Sequence, residues 1–362
     1  MRILAIDVGT GTQDILLLDT DQPVENSVKM VMPSATEVAA RRIRRATREG
    51  RAVLLTGVTM GGGPCHWALE EHLRQGLKAY ATVEAAKTFD DDLAVVASMG
   101  VTVLSDDEAR RLRGVERVTM KDLDLPAIRS AFAGFEVPLE IDGLAVGCLD
   151  HGEAPPGYSD RLFRFDHLRS VVSQWNDLRA FAYTPETVPV YLTRARAMLS
   201  CIDVDVPVAF LDTGPAAALG ALQDPQVARH EEQVVVNLGN MHALAFYLRG
   251  THVRALYEHH TGLLEPGEIE RLTEGLVAGT LSHEEVFAHH GHGVYYAEPV
   301  NGGAPLVAVT GPQRGKLKGS RLQPYFATPH GDMMISGCFG MVQAFAERYP
   351  EHREEIERAL LA

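Results

Sequence analysis

Cysteine is scarce, with four in 362 residues: Cys65, Cys148, Cys201 and Cys338, each standing alone. No C-x-x-C pair exists, so neither a zinc ribbon nor an iron–sulfur cluster can be read locally. A reduced, cytoplasmic setting is the simplest expectation. Basic residues are outnumbered, 34 Lys and Arg against 48 Asp and Glu, for a formal net charge of −14. Repulsion then disfavours nucleic acid and anionic membranes as general partners, but it does not bar one small nucleotide from a local pocket. No uninterrupted apolar run approaches the roughly 20 residues of a spanning helix. The N-terminus, one Arg, a short apolar run and then Asp7, does not read as a signal peptide. What is present is an ordinary globular composition, 46% hydrophobic and 23% charged, with length enough for two domains.

"ILAIDVGTGTQDILLLD" (residues 3–19) reads as a hairpin, two apolar runs joined by a turn of Gly9, Thr10, Gly11 and Thr12, with Asp7 near the end of the first. Residues 26–32 alternate as a third strand. A helix follows, opened by Ser34 and Glu37 at capping-box spacing and stopped by Gly50, with its arginines on a solvated face. Residues 52–64 form a buried strand running into Gly61, Gly62 and Gly63, and another helix comes next. Strands alternating with helices after a hairpin predict a mixed sheet with helical crossovers. Residues 139–152 supply a strand ending at Asp150 and His151. Residues 152–165, rich in Pro, Gly and charge, read as an excursion between elements, and 171–199 as helical. Residues 206–222 read as a strand, a turn at Asp212 and a small-residue helix.

The second half then repeats the first. Under "ILAIDVGTGTQDILLL", the stretch "VVVNLGNMHALAFYL" places Asn237 beneath Asp7, Gly239 beneath Gly9, Asn240 beneath Thr10 and His242 beneath Thr12. Such self-similarity predicts two related lobes. Successive turn N–H groups make an anion-binding concavity, so two facing turns suit a polyphosphate. Further on, residues 305–317 bring a buried strand to Thr310, Gly311 and Pro312.

This order of elements resembles the superfamily of actin, Hsp70 and the acetate and sugar kinases, whose first hairpin carries D-x-G-[ST], matched by Asp7, Gly9 and Thr10. The resemblance implies an α/β, two-lobed actin-like ATPase of duplicated ribonuclease H-like domains. It implies ATP and Mg2+ as cofactors, with Gly9, Thr10, Gly11 and Thr12 on one side of the nucleotide. Asn237, Gly239, Asn240 and His242 lie on the other side, and Thr310, Gly311 and Pro312 meet the adenosine. Lobe I is expected over 1–200 and lobe II over 201–335, with 336–362 returning to lobe I. More narrowly, "LDHGEAPPGYSDRLFRF" and "ATPHGDMMISGCFG" resemble a prokaryotic family labelled as pyruvate formate-lyase activating proteins. A radical activase needs a C-x-x-x-C-x-x-C cluster motif, which four isolated cysteines cannot make.

Within that frame Asp7 is the expected magnesium ligand. Asp212 is the candidate general base, with a helix N-cap as its competing role. Gly61, Gly62, Gly63, Asp150 and His151 are expected to meet a small-molecule substrate. Arg314, Lys316 and Lys318 offer a phosphate cation or a solvated loop. The leading function is phosphotransfer to a small molecule, or ATP hydrolysis coupled to lobe closure. Two alternatives stay open. Asn237 stands where the superfamily usually has a second Asp, which suits a nucleotide-binding scaffold without catalysis. His151, His242 and His330 suit a metal-dependent enzyme, and the tract "HEEVFAHHGHG" (283–293) offers further imidazoles.

Overall fold

The computed structural model describes residues 1–361. Strands β1 (Arg2–Val8), β2 (Thr12–Asp19) and β3 (Val28–Pro33) form an antiparallel meander. Successive side chains of a strand face opposite sides. Ile3 and Ala5 of β1, with Leu16 and Leu18 of β2, enter a central core, while Leu4, Ile6, Ile15 and Leu17 enter a second core behind the sheet. Asp7 and Asp14 share the parity of the first set, so the pleat brings both carboxylates to the central face.

The next strands do not extend this sheet. β4 (Val53–Gly57), β5 (Ala79–Thr82), β6 (Val101–Leu104) and β7 (Glu116–Met120) pair in parallel as a separate sheet, in the order β6-β5-β4-β7, over a core of their own. The single mixed sheet expected from residues 52–64 is thus corrected, because strands this short joined by helices close a small parallel sheet by themselves. The chain then rejoins the first sheet through β8 (Gly143–Cys148), parallel to β1, followed by β9 (Ala182–Tyr183) and β10 (Val208–Leu211). The first sheet therefore runs to Leu211, past the expected division at 200. The excursion over 152–165 ends early: a helix begins at Asp160 and runs to Trp175, and the helical region expected over 171–199 is broken at β9.

The second half builds β11 (Glu232–Leu238), β12 (His242–Arg249), β13 (His252–His260), β14 (Gly293–Tyr296), β15 (Leu306–Thr310) and β16 (Tyr325–Phe326). Their order is β14-β13-β12-β11-β15-β16. Leaving out the extra β14, this matches β3-β2-β1-β8-β10 of the first sheet strand for strand and direction for direction. The duplication extends to register. Val8 faces Gln13 and Leu238 faces Ala243, both shifted by 230. The Gly9 N–H donates to the Thr12 carbonyl and the Gly239 N–H to the His242 carbonyl, each at 2.9 Å. This is the two-lobed actin-like fold.

Two helices, Thr213–Ala221 and Ser336–Arg348, cross between the lobes. They approach so closely that a Cβ on Gly220 would overlap the Ser336 carbonyl, and one on Gly340 the Ala216 carbonyl. Helix Ser336–Arg348 packs Phe339, Met341 and Phe345 into the central core against the first sheet. The following helix, Arg353–Leu361, sets Glu355 2.6 Å from the Met1 amine. Ala362, the last residue expected in this segment, lies outside the described residues. No helix among the described residues is long and apolar enough to cross a membrane.

Candidate functional site

Both duplicated turns open onto one cleft between the sheets. From the first come Asp7, Gly9, Thr10 and Thr12, and from the second Asn237, Gly239, Asn240 and His242. The turns touch, for a Cβ on Gly11 would stand 2.6 Å from the Asn240 amide nitrogen. Thr310 and Pro312 line the same cleft. Between them Gly311 adopts φ +93°, and a Cβ there would meet the Leu238 carbonyl and the Asn237 side chain at 2.5 and 2.6 Å. Only glycine lets this turn fold over the second hairpin. Lys316 is tied to the carbonyls of Thr261 and Leu264, and Arg314 to that of Gly311.

Two carboxylates stand in this cleft. Asp7 and Asp14 are direct cross-strand partners, and like charges so placed repel. The Thr213 hydroxyl donates to Asp7 at 2.8 Å, while the buried Asp14 Oδ1 has no hydrogen-bond partner. Burial, and secondarily the charge of Asp212, pushes Asp7 up to about 7 against the Thr213 hydrogen bond. Burial and the neighbouring Asp7 push Asp14 up to about 8. Asp14 was not singled out in the sequence, although registering the hairpin about its turn would have paired it with Asp7. A Cβ on Gly337, in the first turn of helix Ser336–Arg348, would overlap the Asp7 carboxylate. Arg194 also reaches the cleft, but its guanidinium is forked onto Asp122 at 2.7 and 3.1 Å.

Asp212 is placed differently from the general base expected of it. It does not line the cleft. Its carboxylate receives Arg164 at 2.5 and 3.0 Å and the Gly214 N–H at 3.0 Å, so it caps helix Thr213–Ala221 and holds a buried cation. Arg164 is fully buried and also reaches Glu258 at 3.3 Å and the Asp150 carbonyl.

Gly61, Gly62, Asp150 and His151 border a second cavity, rimmed by Asp90, Asp91, Asp92, Glu153 and Asp160. The Asp150 carboxylate is occupied by the N–H groups of Gly152 and Ala195 at 2.8 and 2.9 Å. Gly63 is not on this wall. At φ +61° it starts helix Pro64–Arg74 beside Thr10, whose methyl a Cβ would meet at 3.0 Å.

The histidines regroup. His330 hydrogen-bonds Gln223 at 2.9 Å in a separate cavity, away from the other two expected with it. Its place is taken by His292, whose ligating nitrogens lie with those of His151 and His242 within 4.8 Å of one another. His260 completes the group, its ring centroid 5.1 Å from that of His242 and 4.7 Å from that of His292. Burial and Arg164 push His151 down to about 3, and burial and its imidazole neighbours hold His242 and His292 well below the usual range. Burial thus disfavours the protonated form of all three rings. His151 and His242 stand together among the sequence candidates and His292 lies in the tract 283–293, but neither local spacing nor periodicity singles out His292 over His330 as their third member.

No curated protein matches the chain in sequence. Among solved structures it is similar to a Listeria monocytogenes protein described as "a putative N-acetylmannosamine kinase", at 9% identity over 96% of this chain and all of that one, with a TM-score of 0.35. The inorganic polyphosphate/ATP-glucomannokinase of Arthrobacter sp. strain KM is 12% identical over 97% of this chain and 99% of its own, with a TM-score of 0.36. The ROK hexokinase of Thermus thermophilus is 13% identical over 97% and 100%, with a TM-score of 0.33. The fold itself is defined by the duplicated strand order. A family model matches residues 60–316, and its description names an activating enzyme. All four cysteines are free, and the one group of clustered metal-ligating side chains among the described residues is made of histidines. The chain belongs to the family described as "Putative pyruvate format-lyase activating enzyme (DUF1786)".

Proposed function

We propose that the interlobe cleft binds ATP with Mg2+, and that the chain is an ATP-dependent phosphotransferase or ATPase acting on a small molecule in the cytoplasm. The observation that carries this is the pair of identically hydrogen-bonded x-Gly turns meeting across a cleft that also holds Asp7 and Asp14. The donor set fits the ion. Magnesium takes oxygen ligands and keeps several waters, and here two facing carboxylates share a cleft, with one buried oxygen unpartnered. When bound, Mg2+ neutralises charge on the phosphoryl oxygens of the transferring group.

The chain's own groups do the positioning. Backbone N–H groups of the two turns cradle the phosphates, as turn amides do for anions. Asp7 and Asp14 hold the hydrated ion, and the Thr213 hydroxyl fixes the orientation of Asp7. Asp212 acts through Arg164 as a positioning residue. A second reading, nucleotide binding without turnover, is favoured by the lobe II hairpin. Asn237 and Leu244 stand there where lobe I has Asp7 and Asp14, so acid comes from one side only.

Calorimetry with ATP and ADP, with and without Mg2+, tests the proposal. Magnesium-dependent binding that Asp7→Asn abolishes is the expected result. The absence of nucleotide binding under every condition overturns it. Turnover gained only in Asn237→Asp would favour the second reading.

A further inference from the structure

We propose that His151, His242 and His292 form a binding site for a divalent transition-metal ion, Zn2+ by its chemistry, on the wall between the nucleotide cleft and the acidic cavity. The site is separate from the Asp7–Asp14 pair and does not depend on nucleotide binding.

Three elements from distant parts of the chain converge to make it: the end of β8, the second turn and the approach to β14. The ring centroids of His151 and His242 are 5.0 Å apart, those of His242 and His292 5.2 Å, and those of His151 and His292 5.7 Å. Imidazoles bind zinc at about 2.0–2.1 Å in tetrahedral array, so ring rotation with a small inward shift brings three nitrogens onto one ion.

The second observation is unmet hydrogen bonding. His292 is fully buried with neither ring nitrogen partnered, and the buried Nε2 of His242 is likewise unpartnered. Buried polar atoms are almost always satisfied, and a cluster of neutral imidazoles supplies lone pairs with nothing to accept them. A metal ion answers several such vacant lone pairs at once.

Behind the cluster the guanidinium of Arg164 faces two buried carboxylates, Asp212 and Glu258, and that of Arg161 donates to the Gly291 carbonyl beside His292. The chain links them closely: the His292 N–H donates to the Glu258 carbonyl, and Arg164 donates to the carbonyl of Asp150, the residue before His151. Imidazole nitrogen ligands suit a borderline-soft dication better than Mg2+ or Ca2+, which take oxygen.

Three protein ligands leave a fourth position free, the arrangement of sites that bind water or substrate rather than of closed structural sites. His242 lines the cleft and His151 the acidic cavity, so an oxygen-bearing small molecule in that cavity has access to the ion.

The test uses the full chain, stripped with a chelator, without nucleotide. Zn2+ is titrated calorimetrically and Co2+ by its visible absorption. We expect one ion per chain, a tetrahedral Co2+ spectrum, and a Tm that rises with Zn2+. His151→Ala and His292→Gln should weaken binding by more than the about 10–100-fold that loss of an outer-shell partner costs, and should lose the Zn2+-dependent rise in Tm. His330→Ala should bind as the wild type does. His151→Ala lies on the cavity wall and provides the reading if His292→Gln fails to fold. No stoichiometric uptake of Zn2+ or Co2+, unchanged binding in His151→Ala, or equal loss in His330→Ala each overturns the proposal.

Discussion

Asp7 and Asp14 face each other across a hairpin, and this pair opposes folding as the pH rises. Both carboxyls are pushed up, to about 7 and about 8. The folded chain therefore holds protons there that the unfolded chain releases near pH 4. Stability contributed by these groups is present below pH 4 and is lost as pH rises through 7 and 8. The buried imidazoles, whose pKa values are held down, act in the opposite direction below pH 6.5, so thermal melts in chelator should fall between pH 6.5 and about pH 8. Asp14→Asn should flatten that slope and raise stability at pH 8 by on the order of 2 kcal/mol, and Mg2+ should do the same for the wild type. Substituting Asp212 should have the opposite effect on stability. Asp212→Ala strips a partner from a fully buried guanidinium and should cost about 3–5 kcal/mol, read as a fall in the denaturant midpoint.

Among the elements, the hairpins were the most legible, because period-2 alternation and a repeated x-Gly turn both point the same way. Asp7, Asn237 and their turns could be aligned from sequence alone. The inserted sheet was not legible, since strands of four or five residues do not say which sheet they join. Helix Asp160–Trp175 was hidden by the Pro-Pro-Gly run before it, and with it Arg164. The crossing of helices Thr213–Ala221 and Ser336–Arg348 was also invisible, although its glycines stand in plain view. Gly340→Ala must push a methyl into the Ala216 carbonyl and should cost about 1–3 kcal/mol, as overpacking does. Gly267→Ala, at an exposed position in the first turn of helix Pro266–Ala278 with nothing within 4 Å of the added carbon, should instead be neutral or stabilising by up to about 1 kcal/mol. Paired denaturation curves of the two variants separate close packing from helix propensity.

At the scale of the whole molecule, Gly11 and the Asn240 side chain approach each other closely across the cleft. On the proposed reading the nucleotide phosphates lie between these turns, and lobes hinged about a bound ligand are a common mode of closure. Gly11→Ala places a carbon against the Asn240 amide, and on the proposed reading it should weaken Mg·ATP binding by roughly tenfold, about 1.4 kcal/mol. Its Tm should scarcely change. Calorimetry beside a melting curve distinguishes a propped cleft from a damaged fold.

The offset of 230 residues has one more consequence. The two hairpins share a backbone down to a single turn hydrogen bond, yet lobe I has oxygen donors at 7, 12 and 14 where lobe II has Asn237, His242 and Leu244. The same turn thus presents carboxylates and a hydroxyl in lobe I, and an amide, an imidazole and an aliphatic side chain in lobe II. On the two proposals above, the carboxylate oxygens would draw a hard cation to the lobe I side and the imidazole nitrogens a softer one to the lobe II side.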